Sequence, residues 1–162
     1  MKVLMVCLGN ICRSPIAQGI MQSRIDTHKL DWEVDSAGTS SWHIGEQPDH
    51  RSIDIAHRNG IDISGQRARQ FTAHDLEYYD VIYVMDSSNY QNVRQLDGTN
   101  SHAHKIKLIL NNVYTEENRA VPDPYYNNNF QEVYQMLEQA VDKIIEEYIL
   151  SLIHISEPTR PY

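Results

Sequence analysis

Cys7 and Arg13 stand six positions apart in the run Cys7-Leu8-Gly9-Asn10-Ile11-Cys12-Arg13-Ser14. A thiol and a guanidinium at that spacing can close around one small tetrahedral anion. The sulfur attacks it, and the planar fork of the arginine holds two of its oxygens. Attack requires a thiolate at neutral pH, whereas a free thiol titrates at about 8.5. Backbone amides converging at a helix N-terminus stabilise the sulfur anion and bind the substrate anion with the same donors. Gly9 admits backbone geometry that a Cβ resists, and Asn10 is among the few non-glycine residues that tolerate a left-handed conformation. Ser14 is placed to hydrogen-bond the sulfur and make it a better leaving group in a second step. The chemistry that fits is phosphoryl transfer through a cysteine.

A departing alkoxide or phenoxide needs a proton, and a carboxylic acid should supply it. The run Val121-Pro122-Asp123-Pro124-Tyr125-Tyr126 offers one, Asp123, held between two prolines. Protonated, it serves as general acid in the first step; ionised, it activates water against the phosphocysteine in the second. Tyr125 and Tyr126 are suited to wall an aromatic leaving group. An Asp-Pro pair also makes a turn unaided, and the tyrosines that follow favour the catalytic reading.

The elements that must position these residues alternate in type. Val3 to Val6 is an apolar run of the kind buried on both faces of a parallel sheet. Ser14 as N-cap and Pro15 in the first turn open a helix, carried by Ile16, Ile20, Met21 and Ile25. A strand is expected at Glu33–Ser36, a loop at Ser40–Asp49, and a helix at His50–Arg58 stopped by Asn59-Gly60. Glu77, Tyr78, Tyr79 and Asp80 read as the polar end of a helix-to-strand connection. A third strand covers Asp80–Met85, Asp86 caps a helix to about Leu96, and a fourth strand covers Lys105–Leu110. Pro122–Asn129 reads as a loop, and Phe130 to about Ile149 as a long amphipathic helix. Strand–helix alternation implies an α/β fold: an open, doubly wound, four-stranded parallel sheet with helices on both faces. Ligands of such sheets bind beyond the C-terminal strand ends, where the Cys7–Arg13 loop falls.

Composition narrows the field. The chain has 162 residues, the size of one domain. A formal net charge of −8 argues against nucleic-acid binding and requires any anion site to be built locally. No apolar run approaches the ~20 residues that cross a bilayer, and because Met1-Lys2 leads directly into a buried-type strand, export by the usual signal is not expected. The two cysteines, Cys7 and Cys12, are not a disulfide framework and read as reduced thiols of a cytoplasmic protein. Residues 150–162 break the preceding pattern and resemble a translated sequencing adapter. The domain is therefore expected at 1–149, and 150–162 is set aside as a non-native tail.

Val6-Cys7-Leu8-Gly9-Asn10-Ile11-Cys12-Arg13-Ser14-Pro15 resembles the signature of the low-molecular-weight protein tyrosine phosphatases. Asp35-Ser36-Ala37-Gly38-Thr39, Met85-Asp86 and Asp123-Pro124-Tyr125-Tyr126 match further landmarks of that family, in order. The resemblance implies a flavodoxin-like sheet and a mechanism with a cysteinyl-phosphate intermediate and neither metal nor other cofactor. Carried over by position, Cys7 is the nucleophile, Arg13 the phosphate clamp and Asp123 the general acid. Leu8, Gly9, Asn10, Ile11, Cys12 and Ser14 form the phosphate-binding loop, with Ser36 in support. Trp42, Tyr125 and Tyr126 line the substrate slot. Cys12 is a redox partner able to trap oxidised Cys7 as a disulfide. Expected partners are tyrosine-phosphorylated proteins, a bacterial tyrosine kinase among the candidates, with inorganic phosphate as product; no membrane or nucleic acid is implied.

Two positions depart from the family pattern. Gln66 stands where relatives often place a histidine toward the loop asparagine, and Gln18 replaces a common glutamate, with an effect expected only on surface charge. Arsenate reduction on the same scaffold needs cysteines beyond Cys12, which this chain lacks. Phosphoarginine-directed relatives carry threonine at the position of Ile11, whose apolar side chain suits an aromatic ring better. A catalytically dead phosphotyrosine-binding module has no support, because nucleophile, clamp and acid are all present. Asp86 reads as a helix cap, and His102 and His104 as solvated loop residues.

Overall fold

The computed structural model describes residues 1–156. Four strands, β1 (Lys2–Cys7), β2 (Glu33–Gly38), β3 (Val81–Val84) and β4 (Ile106–Leu108), form one sheet in the order β2-β1-β3-β4. All neighbouring strands run parallel, with Cys7 opposite Gly38 and Val6 opposite both Ala37 and Val84. The expected doubly wound α/β architecture is therefore present. The helices are α1 (Arg13–Thr27), α2 (His50–Arg58), α3 (Ala73–Tyr78), α4 (Ser87–Gln95), α5 (Pro124–Asn127) and α6 (Phe130–Ser156).

Successive side chains of a strand point to opposite faces, and β1 buries both sets. Val3 and Met5 join Ile16, Ile20 and Met21 of α1 and Val133, Leu137 and Val141 of α6 in one core. Leu4 and Val6 join Ile82, Val84, Leu76 of α3 and Val93 of α4 in the other. Each such side chain contributes about 1.5–3 kcal/mol by leaving water. Strand β1 is thereby packed from both sides, and its C-terminal end at Cys7 is buried. This end is also where the chain order reverses, since β2 lies on one flank of β1 and β3 on the other. A crevice for ligands opens at such a switch point.

Several boundaries differ from the sequence expectation. Helix α1 starts at Arg13 with Cys12 at the N-cap position and no side-chain cap, because the Ser14 hydroxyl is engaged elsewhere. The fourth strand is only Ile106–Leu108, flanked by 3₁₀ turns at Ala103–Lys105 and Ile109–Asn112. The segment expected as a loop at Pro122–Asn129 contains α5, a single turn with Asp123 as N-cap and Pro124 first in the helix. Helix α6 continues to Ser156 instead of ending near Ile149, because Leu150, Ser151, Leu152 and Ile153 carry no helix-breaking residue. The rest of the expected tail, residues 157–162, lies outside the described residues.

Candidate active site

The chain leaves β1 at Cys7 and re-enters regular structure at Arg13, so a sheet end and a helix start clamp the intervening loop. The loop carbonyls are tied from outside. Cys7 and Leu8 accept from the N–H groups of Thr39 and Ser40, both at 2.9 Å, and Ile11 accepts from that of Asp49 at 2.8 Å. Among the described residues, the N–H groups of Gly9 to Cys12 donate to no backbone carbonyl. With an uncapped α1 start beside them they form the donor set that favours an anion. Gly38 lets β2 approach this closely: a Cβ there would lie 2.8 Å from the Leu8 carbonyl oxygen and 3.0 Å from the Asn10 nitrogen.

Asn10 organises the loop interior. It is 3 % exposed and adopts the left-handed conformation anticipated for it, with φ of 58°. Its carbonyl oxygen accepts from the Arg69 backbone N–H at 3.0 Å, and its amide nitrogen donates to Ser14 Oγ at 2.8 Å and Ser36 Oγ at 2.9 Å. Ser14 Oγ already accepts from Asn10, so its own proton is available to Cys7 Sγ, 3.0 Å away. Ser36 in turn donates to Gln18 Oε1 at 2.6 Å. Gln18 is therefore not the mere surface substitution that the sequence implied. Gln66 does not reach Asn10; it donates to the Pro15 carbonyl at 3.1 Å, and the Arg69 N–H takes the asparagine oxygen.

Arg13 is 3 % exposed. Its Nη1 donates to Asp86 Oδ2 at 2.8 Å and to the Val121 carbonyl at 2.9 Å, and its Nη2 lies 3.8 Å from Asp123 Oδ2. Burial opposes the charge, but Cys7, Asp86 and Asp123 outweigh that and hold the guanidinium protonated. Asp86 does two things at once: Oδ1 caps α4 through the Asn89 N–H at 2.8 Å, and Oδ2 fixes Arg13. Sequence reasoning assigned Asp86 only the cap, which is a sufficient local explanation of an Asp-Ser-Ser run. Asp123 is divided in the same way. One oxygen caps α5 through the Tyr125 N–H at 3.1 Å, and the other faces Arg13.

These groups meet in a cavity of about 180 Å³. Cys7 and Arg13 are at its base, Asp123 is at its edge, and Ile11, Trp42, Tyr125 and Tyr126 are among its walls. Trp42 is 71 % and Tyr126 78 % exposed, which places them at a rim and not in the core. The two tyrosine rings meet edge to face at 5.1 Å. His43 also lines the cavity, its Nδ1 against Glu46 Oε2 at 2.5 Å; no motif in the sequence singled it out. Cys12 is 4 % exposed, and burial first, with Asp49, Cys7 and Asp123 adding to it, pushes its thiol up to about 12. It is therefore a neutral thiol beneath the loop. The cavity can admit a flat aromatic group edge-on and present a tetrahedral head to sulfur, amides and guanidinium.

Comparison with known proteins identifies the family and the fold. A model of the low molecular weight phosphotyrosine protein phosphatase family matches residues 2–150. The chain is 39 % identical to the low-molecular-weight protein-tyrosine-phosphatase PtpA of Staphylococcus aureus strain MRSA252, over 96 % of this chain and 97 % of that one. It is likewise 39 % identical to YfkJ of Bacillus subtilis, over 89 % of this chain and 93 % of that one. The crystal structure of YfkJ superposes with a TM-score of 0.85 at 37 % identity, covering 93 % of this chain and 96 % of that one. A Drosophila arginine phosphatase superposes with a TM-score of 0.85 at 31 % identity, covering 91 % and 98 %. The chain belongs to the low-molecular-weight phosphotyrosine protein phosphatase family and is a cysteine-dependent protein-tyrosine-phosphatase.

Proposed function

We propose that this protein hydrolyses phosphotyrosine in proteins by two successive displacements at phosphorus. In the first, Cys7 Sγ attacks the phosphorus held by the loop amides and Arg13. The bond to the tyrosine oxygen breaks, and the Asp123 carboxyl gives its proton to that oxygen. In the second, the Asp123 carboxylate takes a proton from water, the water oxygen attacks phosphorus and the P–S bond breaks. Sulfur leaves as the thiolate that Ser14 Oγ–H is placed to receive, and inorganic phosphate is released. Preorganised donors at the points where charge gathers supply most of the barrier reduction. Substrates are tyrosine-phosphorylated proteins, with a bacterial tyrosine kinase as one candidate.

The observation that carries this reading is the convergence of Cys7, Arg13 and Asp123 on one small cavity, with Asp123 Oδ2 3.8 Å from Arg13 Nη2. Aromatic walls and the apolar Ile11 favour an aryl ester over a phosphorylated guanidine. Acid quenching of a reaction with a phosphotyrosine peptide, followed by mass spectrometry, tests the covalent step. Phosphate on Cys7, absent in Cys7→Ser together with all turnover, is the expected result. Turnover by Cys7→Ser refutes the sulfur mechanism.

A further inference from the structure

Asp123 rides on α5, a helix of four residues that is too short to hold a position by itself. Its near end is tied by the Val121 N–H to the Met85 carbonyl at 2.8 Å. Its far end ends at Asn128, which is left-handed with φ of 61° and whose N–H returns to the Pro124 carbonyl at 2.9 Å. That far end meets the guanidinium of Arg51 on α2. Arg51 Nη1 donates to Asn128 Oδ1, and the guanidinium lies 5.5 Å from the Tyr125 ring centroid and 4.7 Å from that of Phe130.

The other half of the same guanidinium faces the phosphate loop. Nε donates to Asp49 Oδ1 at 3.0 Å and Nη2 to Asp49 Oδ2 at 2.9 Å, a bidentate pair that pulls the Asp49 carboxyl below its ordinary range. The Asp49 side chain also caps α2 through the Arg51 N–H at 2.9 Å. The Asp49 backbone N–H donates to the Ile11 carbonyl at 2.8 Å. One planar fork therefore bridges two segments that the chain connects only through 72 intervening residues, 52 to 123. Lysine cannot reproduce this arrangement, because an ammonium has neither the fork nor the flat face for two rings.

We infer that Arg51 is a positioning residue for catalysis: by joining Asp49, bonded to the phosphate loop, to Asn128 and Tyr125 at the far end of α5, it sets the height of Asp123 above Cys7. This rests on the assignment of Asp123 as general acid. Arg51 is 31 % exposed, and a pair so placed adds little to global stability. Its loss is read in geometry, where misplacement of a catalytic group by an ångström costs up to 10²-fold.

The test compares kcat/KM, which reports the first chemical step, for two esters. Phenyl phosphate needs its leaving oxygen protonated; 2,4-dinitrophenyl phosphate does not. Arg51→Ala is expected to lose about 10- to 100-fold on phenyl phosphate and less than about 3-fold on the dinitrophenyl ester. Competitive inhibition by inorganic phosphate should stay within about two-fold, because the loop that binds it is intact. Arg51→Lys should show the same split in smaller measure. Equal loss on both esters, or phosphate inhibition weakened in parallel, makes Arg51 an ordinary structural support and overturns the proposal, as does no loss at all. Asp123→Ala is run alongside. If it shows the split and Arg51→Ala does not, the Arg51 inference alone falls. If Asp123→Ala is itself indifferent to the leaving group, the acid assignment falls and carries the inference with it.

Discussion

Removing Asp86 should uncouple Arg13, the proposed phosphate clamp, from its support. In Asp86→Ala, Arg13 Nη1 keeps only the Val121 carbonyl at 2.9 Å, and a guanidinium 3 % exposed loses its nearest counter-charge. A hydrogen bond to a charged group contributes about 1.5–3 kcal/mol. The Asp86 side chain is 24 % exposed, so solvent screens part of that and the lower end applies. Loss of the cap on the Asn89 N–H adds about 1 kcal/mol. The sum is roughly 2.5 kcal/mol, or about 5–10 °C in melting temperature for a domain of this size. Asp86→Asn keeps the cap and a neutral acceptor and should cost about half as much.

The functional effect follows from the 3.8 Å gap between Arg13 Nη2 and Asp123 Oδ2. Freed from Asp86, the guanidinium can swing to close that gap, pairing with the acid and leaving the phosphate oxygens. Inorganic phosphate should then inhibit at least about ten-fold more weakly, the equivalent of one charge-assisted hydrogen bond. Thermal denaturation and steady-state inhibition measure the two effects separately. An Asp86→Ala protein that melts like the parent and binds phosphate equally well would show that Arg13 is held by its burial and Val121 alone.

Two further predictions concern Cys12. Brief exposure to peroxide should oxidise Cys7 to the sulfenic acid, which condenses with the Cys12 thiol to a disulfide and water and is recovered by added thiol. Cys12→Ala should recover less completely, by activity and by intact mass, and equal recovery removes any protective role. Because the Cys12 thiol is pushed up to about 12 from 9.0, the folded state disfavours its thiolate. Below about pH 9 both states hold the neutral thiol and stability does not depend on it; above that the unfolded chain ionises first, so stability falls as pH rises toward 12. By pH 11 the difference is on the order of 2–3 kcal/mol. Tyr83 and Tyr134, also pushed up to about 12 by burial first, add to the same decline. The comparison of wild type with Cys12→Ala between pH 9 and 11 isolates the cysteine: denaturation curves that stay parallel over that range exclude it.

What could be read before the fold was seen divides by the range of the interaction. Cys7, Asn10, Arg13 and Ser14 lie within eight residues, and their mutual geometry follows from a strand end, a tight loop and a helix start. The apolar run of β1 and the helical spacing of Ile16, Ile20 and Met21 were equally legible, and these fix where the loop sits. Asp123 was found because two prolines and two tyrosines mark it. Asp86, Gln18 and His43 carry no such mark. Their bonds or contacts span 73 residues for Asp86 with Arg13 and 18 for Gln18 with Ser36, and each residue has a sufficient local explanation. Arg69 was invisible for another reason: it serves Asn10 through its backbone, which any residue could supply. Helix α5 escaped notice, and only the polar end of α3 was legible, because four and six residues are too few for a periodicity to show.

The outward anchoring of the loop carbonyls by Thr39, Ser40 and Asp49 has a consequence for selectivity. A cradle completed before any guest arrives recognises the trigonal face of oxygens common to the ester and to free orthophosphate, and has little to tell them apart. Preference for one phosphorylated partner over another must therefore be written in the residues around the mouth, Trp42, His43, Tyr125 and Tyr126. On the proposed mechanism, a change at those positions would alter which partner docks and leave the donors of the anion seat in place.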